Sequence, residues 1–224
     1  MDFIAARNEE YKSKDYWDRR FEQEDEYEWL VQFNDVRHTL ETLLQSEHRI
    51  LVVGCGNSRF SADLYDAGFR NIVNIDYSEV VIHKMSELNA DRCEMRWEVM
   101  DMTQLTFGDA FFDVVIDKAA MDAIMVDEGD VWYPEQAVID TAHNMCKEIA
   151  RVLIPQGLHI QISFAQPHFR TKYLMGLRFL GDVTDHFRVS EGHSSVYPWT
   201  LSVSTIASSK GLLDNFMYVM RKDG

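Results

Sequence analysis

Hydrophobic positions in the chain change their period near Arg49. Before it, Trp17 and Phe21 lie four residues apart and share one helix face. Phe33, Val36, Leu40, Leu43 and Leu44 then mark an amphipathic helix. The stretch up to Glu47 therefore reads as a helical lead-in, rich in aromatic residues: Tyr11, Tyr16, Trp17, Phe21, Tyr27 and Trp29. After Arg49 the apolar runs become short. Ile50 to Val53 predicts a strand buried on both faces. Asn71 to Ile75 predicts a second, ending at Asp76. Ser78 is placed to cap a helix whose apolar face is Val81, Met85 and Leu88. Met95 to Met100 predicts a third strand, ending at Asp101, and Phe112 to Ile116 a fourth, ending at Asp117.

A long helix over Pro134 to Leu153 carries Val138, Thr141, Met145, Ile149 and Val152 on one face. Pro155-Gln156-Gly157 is expected to stop it, and Leu158 to Phe164 is the fifth strand. Val183 to Val189 and Asn215 to Arg221 are the late strands, with serine-rich Ser190 to Ser209 as a loop or hairpin insertion between them. Strands alternating with helices imply an α/β fold with a mostly parallel sheet and helices on both faces. A length of 224 residues suits one such domain, 1–224, with the lead-in at about 1–47.

Composition narrows the partners. Lys and Arg number 22 against 37 Asp and Glu, a net charge of −15. That argues against direct nucleic-acid binding, which needs a basic face, and is compatible with a basic protein partner. Met1 to Asp15 is polar and charged, and no apolar run approaches a membrane span, so neither a signal peptide nor a membrane is expected. Cys55, Cys93 and Cys146 are odd in number and widely spaced, which points to a reducing compartment, the cytosol, rather than a disulfide framework.

Chemistry concentrates where the strands end. In a parallel sheet, ligands bind beyond the carboxyl ends of the strands. Here those ends carry Gly54-Cys55-Gly56, Asp76, Asp101 and Asp117. Gly54 and Gly56 let the backbone approach a ligand. Asp76 lies 22 residues after Gly54, a spacing suited to a carboxylate that accepts from two ribose hydroxyls. A dinucleotide fold wants a third glycine so that its helix can hold a pyrophosphate, and Arg59 stands there instead. S-adenosylmethionine has ribose and adenine but no pyrophosphate, so the pattern selects it as the cofactor. Asp101 would then accept from the adenine amino group, with Met102 offering a backbone contact. Cys55 reads as a small packing residue. No His/Cys/Asp cluster has metal-ligand spacing, and no nucleophile elbow is present.

Taken together these residues resemble a known family. Tyr16-Trp17-Asp18-Arg19-Arg20-Phe21, Tyr27-Glu28-Trp29, Ile50 to Ser58, Asp76-Tyr77-Ser78, Met100-Asp101, Asp117-Lys118, Met121-Asp122-Ala123 and Pro167-His168-Phe169-Arg170 carry the likeness. The chain resembles the eukaryotic seven-strand protein lysine methyltransferases that act on elongation factor 1-alpha, which are related to a citrate synthase lysine methyltransferase. The resemblance implies a Rossmann-like, seven-stranded class I methyltransferase sheet whose last strand is antiparallel. It implies that Trp17, Phe21 and Trp29 close over the cofactor, and that Gly54, Asp76, Tyr77, Asp101, Met102 and Lys118 line its site. Aromatic rings there can exclude water and offer π faces to a sulfonium cation. Two departures stand out: Phe21 where a tyrosine is frequent, and Lys118-Ala119-Ala120 where Lys-Gly-Thr is usual.

A lysine acceptor must be neutral, although its reference pKa is about 10.4. A partly apolar pocket lowers that value. Asp122 is the candidate to orient the amine, and His168 and Arg170, after the fifth strand, are candidates to touch substrate. A methyltransferase for a small molecule or a protein N-terminus would show the same cofactor loop. Ala119-Ala120 leaves room for a non-catalytic module, and Arg59 disfavours a nicotinamide enzyme. The absence of an Asn-Pro-Pro-Tyr or Asp-Pro-Pro-Tyr element weighs against DNA-adenine and glutamine methyltransferases.

Overall fold

The structure is a computed structural model that describes residues 5–126, 129–130, 133–176, 195–207 and 214–224. A 3-10 turn, Asn8–Lys12, precedes α1 (Lys14–Gln23) and α2 (Phe33–Leu43). Then come β1 (Ile50–Val53), α3 (Phe60–Asp66), β2 (Ile72–Asp76), α4 (Glu79–Leu88), β3 (Arg96–Val99), β4 (Phe112–Lys118) and α5 (Ala120–Met125). A small pairing of Gly129–Asp130 with Tyr133–Pro134 leads into α6 (Gln136–Val152). β5 (Leu153–Ser163), α7 (Pro167–Leu174), β6 (Trp199–Ile206) and β7 (Asn215–Lys222) complete the order.

Seven strands form one sheet in the order β3-β2-β1-β4-β5-β7-β6. The pairings from β3 to β5 are parallel. β7 runs antiparallel to both β5 and β6. The chain steps outward from β1 to β3 and then returns to place β4 on the other side of β1, so the switch point lies between β1 and β4. Val53 pairs with both Ile75 and Asp117, so the carboxyl ends of these central strands finish level.

Burial explains the apolar runs. Ile50 and Val52 pack into one core with Val36, Leu40, Phe60, Leu64, Val81 and Met85. Leu51 and Val53 face the opposite core with Met121, Met145, Ile149 and Leu174. A strand covered on both sides has no polar face, hence the unbroken ILVV. Ser78 caps α4 through an acceptor contact with the Val81 N–H.

Three expectations need correction. The lead-in is not helical throughout: residues between α1 and α2 form no regular element, with Leu30 at a φ of 65°, and their backbone lies along the cofactor loop. Pro155-Gln156-Gly157 does not separate helix from strand. α6 passes directly into β5, and the three residues sit within its first turns, where Gln156 takes a φ of 65° and the register with β4 shifts. Ser190 to Ser209 is not merely an insertion, because it contains β6. This edge strand is buried only at Trp199 and Ile206, so its serines read as loop. Val183 to Val189 lies outside the described residues.

Candidate active site

A cavity of about 730 Å³ opens at the carboxyl ends of β1, β2 and β4. The structure brings together around it Trp17, Phe21, Trp29, Gly54, Gly56, Asp76, Tyr77, Asp101, Met102, Lys118 and Asp122. His168 and Arg170 are not part of this lining. Tyr11, Glu135, Val138 and Phe164, none of them a candidate site residue from the sequence, are.

The floor is held by the backbone. Gly54 and Gly56 have φ of +57° and +51°, and a Cβ on Gly54 would stand 2.5 Å from the Cβ of Ala120. The loop thus needs glycine at position 54 for both conformation and space. Asp76 is nearly fully buried and accepts from the Gly56 N–H and the Ser78 N–H, each at 3.0 Å. Burial pushes its carboxyl up to about 6 despite those bonds. Asp101 accepts from the N–H and the hydroxyl of Thr103, both at 2.7 Å, and so closes a turn while it lines the cavity.

Asp117 points into the protein beneath the site. It accepts from Ala120 and Met121 N–H groups and from the Gln161 amide at 2.6 Å, and burial raises it to about 6. It therefore caps α5. Ala119, just before that helix, has a φ of 68°, a conformation in which glycine carries no steric penalty. That is the physical content of the Ala119-Ala120 departure: Ala119 is strained, and Ala120 packs against the cofactor loop.

Asp122 is 6% exposed and held from three sides. It accepts from the Ser163 hydroxyl at 2.6 Å, the Phe164 N–H at 3.4 Å, and the Arg170 guanidinium at 2.5 Å. Arg170, only 3% exposed, lies behind Asp122 rather than in the cavity, and its Nε and Nη1 have no partner among the described residues. His168 is exposed, its ring tilted against that of Phe169 with 3.9 Å between centroids.

The lead-in forms the roof. Trp17 stacks on Phe21, 5.5 Å between centroids. The cation over the aromatic cluster is the protein's own: the Arg20 guanidinium lies 4.7 Å from Tyr27 and 4.9 Å from Trp29. Polar bonds then stitch the roof to the floor. The Asn57 amide donates to the Glu24 carbonyl at 3.2 Å, and the Lys84 ammonium donates to the carbonyls of Phe21 and Glu24 at 3.1 and 3.0 Å. Lys118 donates to the Trp29 carbonyl at 3.1 Å and lies 3.1 Å from the Glu28 carboxylate. Burial lowers its pKa. Its ammonium thus anchors the roof. Glu28 was visible in Tyr27-Glu28-Trp29, but its role depends on partners 30 or more residues away.

A loop that spends most of its N–H groups internally suits S-adenosylmethionine, which has no phosphate to hold. Cys55, Gly56, Arg59 and Phe60 in the loop all spend their N–H groups internally, on Ile75, Asp76, Glu28 and Ser58. A glycine cradle, a buried carboxylate after β2 and an aromatic roof remain for a nucleoside with a sulfonium-bearing arm. Among the described residues no cluster could hold a metal ion, and no helix is long and apolar enough to cross a membrane.

Comparison with known proteins agrees. The family described as "Methyltransferase domain" matches residues 51–161. The N-methyltransferase NodS from Bradyrhizobium japonicum, solved with S-adenosyl-l-homocysteine, shares the fold with a TM-score of 0.60 at 14% identity, over 96% of this chain and 100% of that one. A Haloferax volcanii methyltransferase in complex with its Trm112 activator gives the same score at 14% identity, over 94% and 96%. This chain is a class I S-adenosylmethionine-dependent methyltransferase. EEF1A lysine methyltransferase 4 of Mus musculus is 38% identical over 179 residues, 79% of this chain and 70% of the relative. The eEF1A lysine and N-terminal methyltransferase of Homo sapiens is 36% identical over 213 residues, 94% of this chain but 27% of the relative, so the chain spans about a quarter of that protein. The chain belongs to the family of these eEF1A lysine methyltransferases.

Proposed function

We propose that the chain, acting as a single domain, methylates a lysine side chain of a protein in the cytosol, and that this protein is elongation factor 1-alpha. The observation that carries the lysine reading is the wall beside Asp122. Ile124, Val126, Val138 and Phe164 give the cavity an apolar lining, and Asp122 and Glu135 add carboxylates. Such a wall suits a long aliphatic side chain that ends in an amine. The relatives' names supply the substrate, and three free cysteines agree with a reducing compartment.

Gly54, Gly56, Asp76, Tyr77, Asp101 and Met102 would hold the cofactor, under Trp17, Phe21 and Trp29. Bound S-adenosylmethionine supplies an electrophilic methyl group. The chain's own residues exclude water, align the acceptor nitrogen and keep it unprotonated. An isolated carboxylate beside the amine would favour its charged form. The ion pair between Asp122 and Arg170 removes that conflict: the pair is neutral overall, so the carboxylate can accept an amine N–H with little net field to hold the extra proton. The lysine proton leaves to solvent before transfer, as the apolar wall disfavours the ammonium.

Incubating the protein with labelled S-adenosylmethionine and purified elongation factor 1-alpha, then mapping the label by mass spectrometry, tests the reading. A methylated lysine supports it. Label on an α-amino group, or no methylated lysine in a whole lysate, overturns it.

A further inference from the structure

One carboxylate joins the roof to the cofactor loop. Glu28 Oε1 accepts from the Ser58 hydroxyl at 2.7 Å and from the Arg59 N–H at 2.6 Å, and Oε2 lies 3.1 Å from the Lys118 ammonium. A backbone amide, a hydroxyl and a cation converge on a single negative charge. The Lys118 side chain is only 6% exposed and that of Glu28 19%, so the ions meet largely out of water. The Arg59 side chain is not involved: it is 55% exposed and extends toward Glu26 and Asp63.

An amide, a hydroxyl and an ammonium are the donor types that hold phosphate groups in nucleotide sites. Here they are already taken, and the neighbouring N–H groups of Gly56 and Phe60 are bonded to Asp76 and Ser58. We propose that Glu28 biases the cofactor class: it is a resident anion that occupies three donors a phosphate would use, the Ser58 hydroxyl, the Arg59 N–H and the Lys118 ammonium, and it thereby disfavours phosphorylated nucleotides at the site. A phosphorylated nucleotide would have to expel Glu28, and with it the backbone that carries Trp29, or bring a second anion to the Lys118 ammonium. S-adenosylmethionine leaves the carboxylate in place. The inference concerns only the cofactor and stands apart from the identity of the acceptor.

The test is the ratio of ADP affinity to S-adenosylhomocysteine affinity, measured by titration calorimetry on the full chain. In Glu28→Ala the ratio rises at least tenfold over the unmodified protein. Glu28→Gln, which keeps an acceptor oxygen but no charge, raises it less. In Glu28→Ala combined with Lys118→Met the ratio falls back, because the released cation is gone. That double variant and Glu28→Gln also guard against misfolding of a chain with an unpaired Lys118. An unchanged ratio in the Glu28 variants overturns the proposal, and so does a gain that persists without Lys118. Failure of the unmodified protein to bind S-adenosylhomocysteine would instead count against the cofactor assignment itself.

Discussion

The floor and the roof of the cavity are assembled in different ways. On the floor, Asp76 is gripped by Gly56 and Ser78, and Asp101 by Thr103, over short reaches set by the strand ends. The roof and the acceptor wall depend on side chains that meet across the sequence: Glu28 with Ser58 and Lys118, Asp122 with Ser163 and Arg170, Asn215 with Leu30. The floor is specified by topology, because a glycine turn level with two neighbouring strands has few alternatives. The roof and wall are specified by particular charge and hydrogen-bond pairs, each of which a single substitution removes.

The largest effect should come from the wall. Asp122→Ala leaves the Arg170 charge buried without its partner and should lower unfolding free energy by about 4 kcal/mol. Pairing it with Arg170→Met should recover most of that loss while methyl transfer stays impaired, with S-adenosylhomocysteine affinity near normal. Urea unfolding and calorimetry check both halves. If the double variant is no more stable than the single one, the ion pair is not the source of the cost. On the floor, Gly54→Ala forces a β-carbon into a left-handed conformation and against Ala120. The two penalties together should cost about 3 kcal/mol and abolish cofactor binding. An unshifted urea midpoint would mean that the loop relaxes freely.

A third test separates the two regions by pH. The folded Asp76 carboxyl is raised to about 6 from 3.8, so between those values the folded chain holds a proton that the unfolded chain has released. Raising pH through that window lowers the stability of the free protein, and Asp117 acts with the same sign. His159, buried and lowered to about 3 from 6.5, acts oppositely, since its unfolded form takes up the proton first as pH falls. Ribose hydroxyls donate best to the ionised Asp76. S-adenosylhomocysteine affinity should therefore rise about tenfold from pH 5 to pH 7, and Asp76→Asn should flatten the profile. A profile unchanged in that variant would remove Asp76 from ribose binding. The smallest effect is a gain: Ala119→Gly relieves a positive φ and should stabilise the protein by about 0.5–1 kcal/mol, read as a higher urea midpoint. Loss of stability there would mean that the Ala119 methyl group contributes packing that outweighs the strain.

The same contrast explains what could be read from the residues alone. β1, the glycine turn and the acidic ends of β2 and β3 follow from local pattern, since a doubly covered strand must be apolar and a tight turn needs glycine. Arg59 pointed away from dinucleotides, yet its side chain plays no part in the loop. The anion beside the turn, Glu28, does, and no local spacing reveals a partner 30 residues away. Arg170 lay in a motif after β5, which suggested substrate contact. Its burial behind Asp122 follows from the packing of α7, not from its neighbours in sequence. β6 escaped notice because an edge strand with one solvated side can alternate serine and threonine without an apolar run.

The bond from the Asn215 amide to the Leu30 carbonyl spans 185 residues. A ribosome delivers the roof 185 residues ahead of the residue that fastens it. During synthesis residues 14–32 meet their first floor contacts at Asn57 and Lys84, gain the Lys118 anchor later, and lack the Asn215 anchor until that strand emerges. Contacts of such separation form late and slowly. Refolding should thus end with a distinct phase in the fluorescence of Trp17 and Trp29. A nascent chain would carry the parallel strands β1 to β5 before Asn215 could fasten the roof, so the ability to trap a cofactor marks a closed roof and not merely a folded sheet.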